Sequence, residues 1–178
     1  MKGYYKRQDL TDRVLSKDGW LDTGDLGMWT HKGEFAICGR AKDTIVLSGG
    51  ENLEPVPIEA KLCESEFIES AVVLGQDQKY LGALIVLNKK RIEEYLTEKQ
   101  IPYLADKIAG MKEVKELIEK TVGEIVNSKH GFKSFEHIVR FQLLAKSFEV
   151  GRELSAKQEL KRFEIQKLYR NEIQELFV

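Results

Sequence analysis

An apolar run, a glycine pair and two prolines follow one another in one short stretch and limit what the chain can fold into. Residues 44–47 are β-branched or aliphatic, which predicts the buried part of a strand. The next three residues, Ser48-Gly49-Gly50, form what we call the glycine loop; glycine adopts backbone angles closed to most other residues and lets another backbone or a ligand come close. Pro55 and Pro57 are tolerated in a first helical turn, so the stretch ends in a predicted helix over 55–64.

Short strands and helices alternate through the rest of the chain. Runs of β-branched and aromatic residues around glycine-containing turns predict two hairpins, and apolar residues three and four apart predict helices. Residues 1–19 are polar and predict no core of their own. In order, the predicted elements are a hairpin of 26–29 with 34–38, a strand at 43–48, a helix at 55–64, a hairpin of 67–74 with 81–87, a helix at 89–98, one helix or two over 104–127 with a break near Gly110, a strand at 138–144 and a terminal helix from about 160. This order predicts an α+β fold with a short mixed sheet flanked by helices.

Composition argues against several classes of function. The 178 residues carry a net charge of −1, so no positive field attracts nucleic acid. No apolar run approaches the roughly 18 residues of a membrane-spanning helix. Cys38 and Cys63 stand among apolar residues and predict buried thiols in a reduced, soluble, cytoplasmic protein. His31, His130 and His137 are scattered, which favours neither a catalytic triad nor a metal site.

Several short motifs occur in a familiar order and spacing. They are Gly3-Tyr4-Tyr5, then Asp18-Gly19-Trp20-Leu21-Asp22-Thr23-Gly24-Asp25, then Gly39-Arg40-Ala41-Lys42-Asp43. Together they resemble the adenylate-forming acyl-CoA synthetase superfamily, and within it residues 45–59 resemble the long-chain fatty acid–CoA ligases. The resemblance covers essentially the whole chain. It implies that residues 1–39 are the tail of the family's large N-terminal domain and that residues 40–178 are its small mobile C-terminal domain.

The resemblance also implies a two-step reaction. A fatty acid carboxylate attacks the α-phosphate of Mg-ATP and gives acyl-adenylate and pyrophosphate; the small domain then rotates, and the thiol of CoA displaces AMP. The implied cofactors, ATP or AMP, Mg²⁺ and CoA, would bind mainly with the large domain, which this sequence lacks. We therefore expect small-molecule substrates, no nucleic acid, and no activity from this chain alone. Peripheral membrane contact of the full-length enzyme is left open.

Four positions receive roles from this resemblance. Asp25 matches the aspartate that accepts hydrogen bonds from the ribose hydroxyls of AMP, although a turn aspartate bonding its own backbone is the alternative. Arg40 matches a second nucleotide-contacting residue; the alternative is a surface ion pair, for example with Asp43. Lys42 falls at the family's hinge, where an ordinary surface lysine would look the same. The glycine loop matches the lining of the channel for the pantetheine arm of CoA, and it lacks the spacing of a phosphate-binding P-loop.

The chain departs from the family near its C-terminus. Long-chain ligases usually show Glu-Leu-Thr-Pro-Thr-Leu-Lys-Leu-Lys-Arg, where the first lysine offsets charge on the α-phosphate during adenylation. Residues 153–162 match this run, and the catalytic lysine falls on Glu159. Either Lys157 or Lys161 supplies the charge from a neighbouring position, or adenylation is weak or lost. Ser155 also has capping-box spacing, so part of the run is a candidate start of the last helix.

Three classes of function therefore compete. The leading hypothesis is the C-terminal part of an AMP-forming long-chain acyl-CoA synthetase, with a ligase for another acyl substrate as its variant. A non-catalytic or regulatory ligase-like protein is the second, motivated by Glu159. The third is an interaction module that docks a partner through the helical segment at 104–127, although its apolar stripe is better explained as core.

Overall fold

The computed structural model describes all residues from 1 to 178, and they form two compact units, residues 1–44 and residues 45–178. We call them the first unit and the second unit. Both contain helices and short sheets, and the second contains a three-stranded mixed sheet. The predicted α+β class is confirmed. No helix is both long and apolar enough to cross a membrane.

The first unit contains a helix, α1 (Gln8–Val14), and a hairpin of β1 (Asp25–Trp29) with β2 (Phe35–Arg40). The hairpin was predicted, but α1 was not. This helix has no apolar stripe, because its one buried residue is Thr11. The Thr11 hydroxyl donates to the carbonyl of Arg7 at 3.1 Å and accepts from the amide of Tyr4 at 2.9 Å. Hydrogen bonds instead of apolar packing hold α1 in place.

The second unit is built on a three-stranded sheet with helices on both faces. Strand β6 lies in the middle, antiparallel to β5 and parallel to β7. Its elements are β3 (Ile45–Val46), β4 (Asn52–Leu53), α2 (Pro55–Leu62), β5 (Ile68–Leu74), β6 (Leu81–Leu87), α3 (Lys89–Glu98), α4 (Lys112–Ile125), β7 (Ile138–Leu144), α5 (Arg162–Leu168) and α6 (Arg170–Leu176). The predicted second hairpin, α3 and β7 are confirmed, and α2 ends two residues before its predicted end.

Strand β6 is buried along its whole length, because helices cover both faces of the sheet. On one face Ile85 packs in a cluster with residues of α2, α3 and α4. On the other face Leu84 packs in a second cluster with Ile165 of α5 and Leu176 of α6. Removing a leucine or isoleucine side chain from water contributes about 1.5–3 kcal/mol. These two clusters therefore stabilise the platform from which the loops of the second unit extend.

Two predicted elements differ from the structure, and a third matches it in the position of its break. The strand at 43–48 shrinks to the two residues of β3, which pair only with β4. The helical segment at 104–127 breaks as predicted near Gly110, where a 3₁₀ turn over Ile108–Gly110 precedes α4. The terminal helix begins at Arg162 and divides at Tyr169 into α5 and α6, since Tyr169 has φ −108° and ψ 32°, outside the helical region.

The two cysteines are more accessible than predicted. Cys38 is half-buried and its thiol donates to the carbonyl of Leu26, 3.4 Å away. Cys63 is exposed at the end of α2. The prediction of two buried thiols is wrong, because apolar sequence neighbours do not fix which face of an element a side chain occupies.

Candidate functional site

Asp25 and Arg40 face each other at the open end of the hairpin in the first unit. They are paired across β1 and β2, and the Nε of Arg40 lies 3.4 Å from Oδ1 of Asp25. Both side chains are partly exposed, at 31% for Asp25 and 52% for Arg40. A carboxylate with two acceptor oxygens beside a guanidinium with five donors can bind a vicinal diol and an adjacent anionic group together.

The backbone-capping role that was the alternative for Asp25 is filled by a neighbour. Oδ1 of Asp22 accepts from the amide of Gly24 at 2.9 Å, while the amide of Asp25 donates to the hydroxyl of Thr23 at 3.2 Å. Gly24 has φ +69°, a left-handed angle that favours glycine. The turn is therefore closed by residues other than the Asp25 carboxylate, which is directed to Arg40.

Lys42 is exposed in a short 3₁₀ turn over Ala41–Asp43, directly after β2. This turn lies at the end of the first unit, directly before its last residue, Thr44. A solvated lysine at such a connection can keep its hydration through a change in backbone angles. Its assignment as the hinge stays a prediction, as does the division of the chain between residues 39 and 40.

The glycine loop is the turn between β3 and β4. The amide of Leu47 donates to the carbonyl of Glu51 and the amide of Gly50 donates to the carbonyl of Leu47, each at 2.9 Å. Gly50 has φ +89°, and a Cβ on Gly49 would collide with the carboxylate of Glu51. This turn geometry therefore favours glycine at position 50, whereas at position 49 a side chain would only have to displace the flexible end of Glu51; the loop residues are exposed.

The connection between β5 and β6 supports the glycine loop, a contact that the sequence pattern did not indicate. The amide of Ser48 donates to the carbonyl of Gln78 at 2.9 Å, and the amide of Val46 donates to the side-chain oxygen of Gln76 at 3.1 Å. The amide of Asp77 donates back to the carbonyl of Val46 at 2.9 Å. Because these bonds join residues far apart in the chain, no local pattern could have revealed them.

Lys157, Glu159 and Lys161 lie in one loop, residues 151–161, which we call the lysine loop. Lys157 and Glu159 are exposed, and Lys161 is half-buried. The ammonium of Lys161 donates to two backbone carbonyls, those of Gly151 at 3.2 Å and Arg152 at 3.1 Å. The structure thus separates the two candidate lysines, since one is bonded to its own loop and the other reaches solvent.

Ser155 closes the lysine loop instead of starting a helix. Its hydroxyl accepts from the amides of Lys157 and Glu159, each at 3.2 Å. The next helix, α5, begins only at Arg162. The capping-box interpretation is therefore wrong: the serine side chain does bond to nearby amides, but in a turn.

Glu153 is a buried carboxylate at the start of the matched run, with 2% exposure. It accepts from the amide of Glu149 at 3.0 Å and the hydroxyl of Tyr169 at 3.1 Å, and the Nε of Arg152 lies 3.3 Å away. Burial by itself raises the pKa of Glu153, but these hydrogen bonds and the nearby guanidinium outweigh it and leave the pKa below its usual value. Burial, then the bond to Glu153, raises the pKa of Tyr169 to about 12.

Glu59, whose role the sequence left open, is paired inside the second unit. Its carboxylate receives two hydrogen bonds from the guanidinium of Arg162, at 2.9 and 2.6 Å, and a third from the amide of Val73 at 2.8 Å. Its side chain is 8% exposed. This contact joins α2, β5 and the first residue of α5, so Glu59 is structural.

Two solved structures that share this fold are adenylation domains. The structure matches the adenylation domain of a carboxylate reductase from Mycobacterium chelonae with a TM-score of 0.80 and 24% identity, over 98% of this chain and 26% of that one. A carboxylic acid reductase domain from Segniliparus rugosus, solved with AMP and a co-purified carboxylic acid, matches with a TM-score of 0.79 and 25% identity over the same shares. The fold is therefore that of the C-terminal region of adenylate-forming enzymes.

The sequence places the chain in a particular family of this class. Residues 42–178 match the family described as the AMP-binding enzyme C-terminal domain, and the chain belongs to it. It is 31% identical to the long-chain-fatty-acid–CoA ligase ACSBG1 of Rattus norvegicus over 98% of this chain and 27% of that protein. It is 48% identical to the chloroplastic long-chain-fatty-acid–[acyl-carrier-protein] ligase AEE15 of Arabidopsis thaliana, over 52% of this chain and 14% of that protein. The chain thus spans about a quarter or less of these relatives.

Proposed function

We propose that this chain is the C-terminal part of an AMP-forming ligase that activates a long-chain fatty acid with ATP and transfers it to CoA. The observation that carries the proposal is the similarity to a long-chain ligase along 98% of the chain, together with the family match over residues 42–178. Activity belongs to the complete ligase, because the chain covers only 27% of that relative. Alone, it is expected to be inactive.

The exposed apolar face of the β1–β2 hairpin supports the proposal that this chain is one part of a larger ligase. Trp29, Phe35 and Ile37 are 72%, 61% and 70% exposed, and the rings of Trp29 and Phe35 meet edge to face with centroids 5.5 Å apart. Large exposed apolar patches mark surfaces that another part of a protein covers. We expect a preceding domain of the complete ligase to cover this one.

Within this proposal Asp25 and Arg40 hold the nucleotide. The carboxylate of Asp25 accepts from the ribose hydroxyls, and Arg40 donates to ribose or phosphate oxygens. CoA would pass the glycine loop, where positions without side chains leave room for its thin pantetheine arm. Mg²⁺ would arrive with ATP, because this ion is held mainly by substrate phosphates and waters.

Fatty acid-dependent ATP–pyrophosphate exchange by the complete ligase tests the proposal. Asp25→Asn keeps the size of the side chain, removes its charge and is expected to lower pyrophosphate exchange about tenfold or more, mainly through the apparent affinity for ATP. Asp9→Asn is the matched control, because Asp9 lies in the same unit and pairs with Arg7 at 2.7 Å on an exposed helix. A complete protein without exchange for any fatty acid would overturn the proposal and favour the non-catalytic, regulatory alternative.

A second candidate changes only the acceptor of the acyl group. The similarity to the acyl-carrier-protein ligase of Arabidopsis thaliana is 48% over 104 residues, higher than the 31% found with the CoA ligase over 195 residues. Thioester formation is therefore to be measured with CoA and with a phosphopantetheine-loaded acyl carrier protein side by side. Faster transfer to the carrier protein would replace CoA as the acceptor and leave the adenylation step unchanged.

A further inference from the structure

The lysine loop has the geometry of a small hairpin closed at its base. The amide of Lys161 donates to the carbonyl of Glu153, and the amide of Ser155 donates to the carbonyl of Glu159, both at 2.8 Å. Between these two rungs Leu154 and Leu160 form an antiparallel bridge. Two rungs and a bridge fix the direction in which the tip of the loop extends.

Two charged side chains hold the base of this hairpin. The ammonium of Lys161 donates hydrogen bonds to the carbonyls of Gly151 and Arg152. The buried carboxylate of Glu153 accepts from the amide of Glu149 and the hydroxyl of Tyr169. Hydrogen bonds to charged groups contribute more than neutral ones, so this base is rigid. The ammonium of Lys161 can reach a phosphate only if it gives up both carbonyls.

The tip presents a different lysine. Residues 156–158 form it, and Gln158 turns the chain back with φ +61°. Lys157 is exposed, and its ammonium has no hydrogen-bond or ion-pair partner in the structure. Glu159, at the position that matches the family's catalytic lysine, lies on the returning side of the loop.

We propose that Lys157 is the group that compensates phosphate charge during adenylation, and that Lys161 is the residue that positions its loop. The proposal rests on the proposed function and decides between the two lysines that the sequence left open. A positive donor at the phosphate is what this step requires, and of the two lysines only Lys157 has an ammonium that is not bonded to its own loop.

The test compares single variants of the complete ligase in two half-reactions. Lys157→Ala is expected to lower fatty acid-dependent pyrophosphate exchange about a hundredfold or more, and Lys157→Arg to retain most of it because the charge remains. Thioester formation from preformed acyl-adenylate is expected to be unchanged in both variants. Lys120→Ala is the control, since Lys120 lies on α4 and pairs only with exposed Glu124.

A second readout separates the positioning role from a direct one. In the 178-residue chain, Lys161→Met is expected to speed hydrogen exchange at the amides of Gly151 and Ser155, whereas Lys157→Ala leaves them unchanged. The inference alone would be overturned if Lys157→Ala kept full pyrophosphate exchange and only Lys161→Met lost it, with the amide protection unchanged. That result would assign the contact with the phosphate to Lys161. Absence of pyrophosphate exchange in the unmodified ligase would overturn the proposed function as well.

Discussion

The phenolic hydroxyl of Tyr169 donates to the buried carboxylate of Glu153 at 3.1 Å and so ties the break between α5 and α6 to the lysine loop. The tyrosine ring also lies against Phe148, with centroids 6.0 Å apart. Apolar packing fixes the position of the ring, and the hydroxyl then donates a hydrogen bond to the carboxylate of Glu153, which is buried away from water. The stability of the second unit and the shape of the lysine loop are therefore linked through one pair of side chains.

Tyr169→Phe removes this hydrogen bond and keeps the ring. It is expected to lower the free energy of unfolding by about 1–3 kcal/mol, because the carboxylate stays buried with one partner fewer. Urea denaturation of the 178-residue chain measures the change. Tyr5→Phe is the control, since Tyr5 is 86% exposed and is expected to change stability by less than about 0.5 kcal/mol.

Acid is expected to weaken the second unit through Glu153. The pKa of Glu153 is lower in the folded chain than in the unfolded chain, where a glutamate titrates near about 4.3. The stabilisation is therefore present above that unfolded value and is lost as the pH falls through the lower folded value. Unfolding measured at pH 7 and pH 3 is expected to show a larger loss in the unmodified chain than in Glu153→Gln, and equal losses would contradict this account.

Alkali acts on the same pair with the opposite sign. The pKa of Tyr169, raised to about 12, exceeds that of a free tyrosine, about 10. Its stabilising contribution is complete below the free value and is lost as the pH rises toward 12. Absorbance titration of phenolate is expected to show one late-titrating tyrosine, which disappears in Tyr169→Phe; a titration complete by about pH 11 would contradict the assignment.

Glu59→Ala is expected to destabilise the second unit more than any of these changes. The substitution leaves the guanidinium of Arg162 without its two-bond partner and the amide of Val73 without its acceptor, which costs about 3–5 kcal/mol. Lys61→Ala breaks the ion pair between Lys61 of α2 and Glu64, which lies just beyond the end of that helix, and is expected to cost less than about 1 kcal/mol. Equal losses of unfolding free energy in the two variants would show that the buried pair of Glu59 and Arg162 contributes no more to stability than the pair of Lys61 and Glu64.

Gly50→Ala tests the geometry of the glycine loop. A side chain at φ +89° is strained, and the expected cost is about 1–2 kcal/mol of stability. Gly110→Ala is the matched control, because an added Cβ there meets open space and the backbone has no positive φ. In the complete ligase, Gly50→Ala is expected to slow thioester formation and to leave pyrophosphate exchange intact; slowing both alike would remove the loop from the CoA step.

Patterns of apolar residues correctly predicted those elements that are buried either on all sides or along one regular face. β6 is apolar at nearly every position because both of its faces are covered, and α3 begins and ends where its capping residue and apolar stripe require. α1 escaped prediction because hydrogen bonds of Thr11 hold it, without apolar periodicity. The break at Tyr169 was missed as well, because no proline or glycine marks it in the sequence.

The candidate site divides in the same way. Asp25, Arg40 and the glycine loop were identified because their residue types stand in a local order that resembles a family. The difference between Lys157 and Lys161 was invisible in the sequence, since it depends on which ammonium reaches the carbonyls of Gly151 and Arg152. A long flexible side chain can serve either role, and only the three-dimensional path of the loop decides which.

The parallel pairing of β6 with β7 bears on how the domain is assembled after synthesis. β5 and β6 are neighbours in sequence and can pair as soon as both are synthesised. β7 can pair with β6 only after the connection from Leu87 to Ile138 has been translated and ordered. Closing such a long connection is slow, because its loss of chain entropy comes before the contacts between β6 and β7 have formed. Until then β6 keeps one open edge, so a nascent chain that ends before residue 138 is expected to be prone to aggregation.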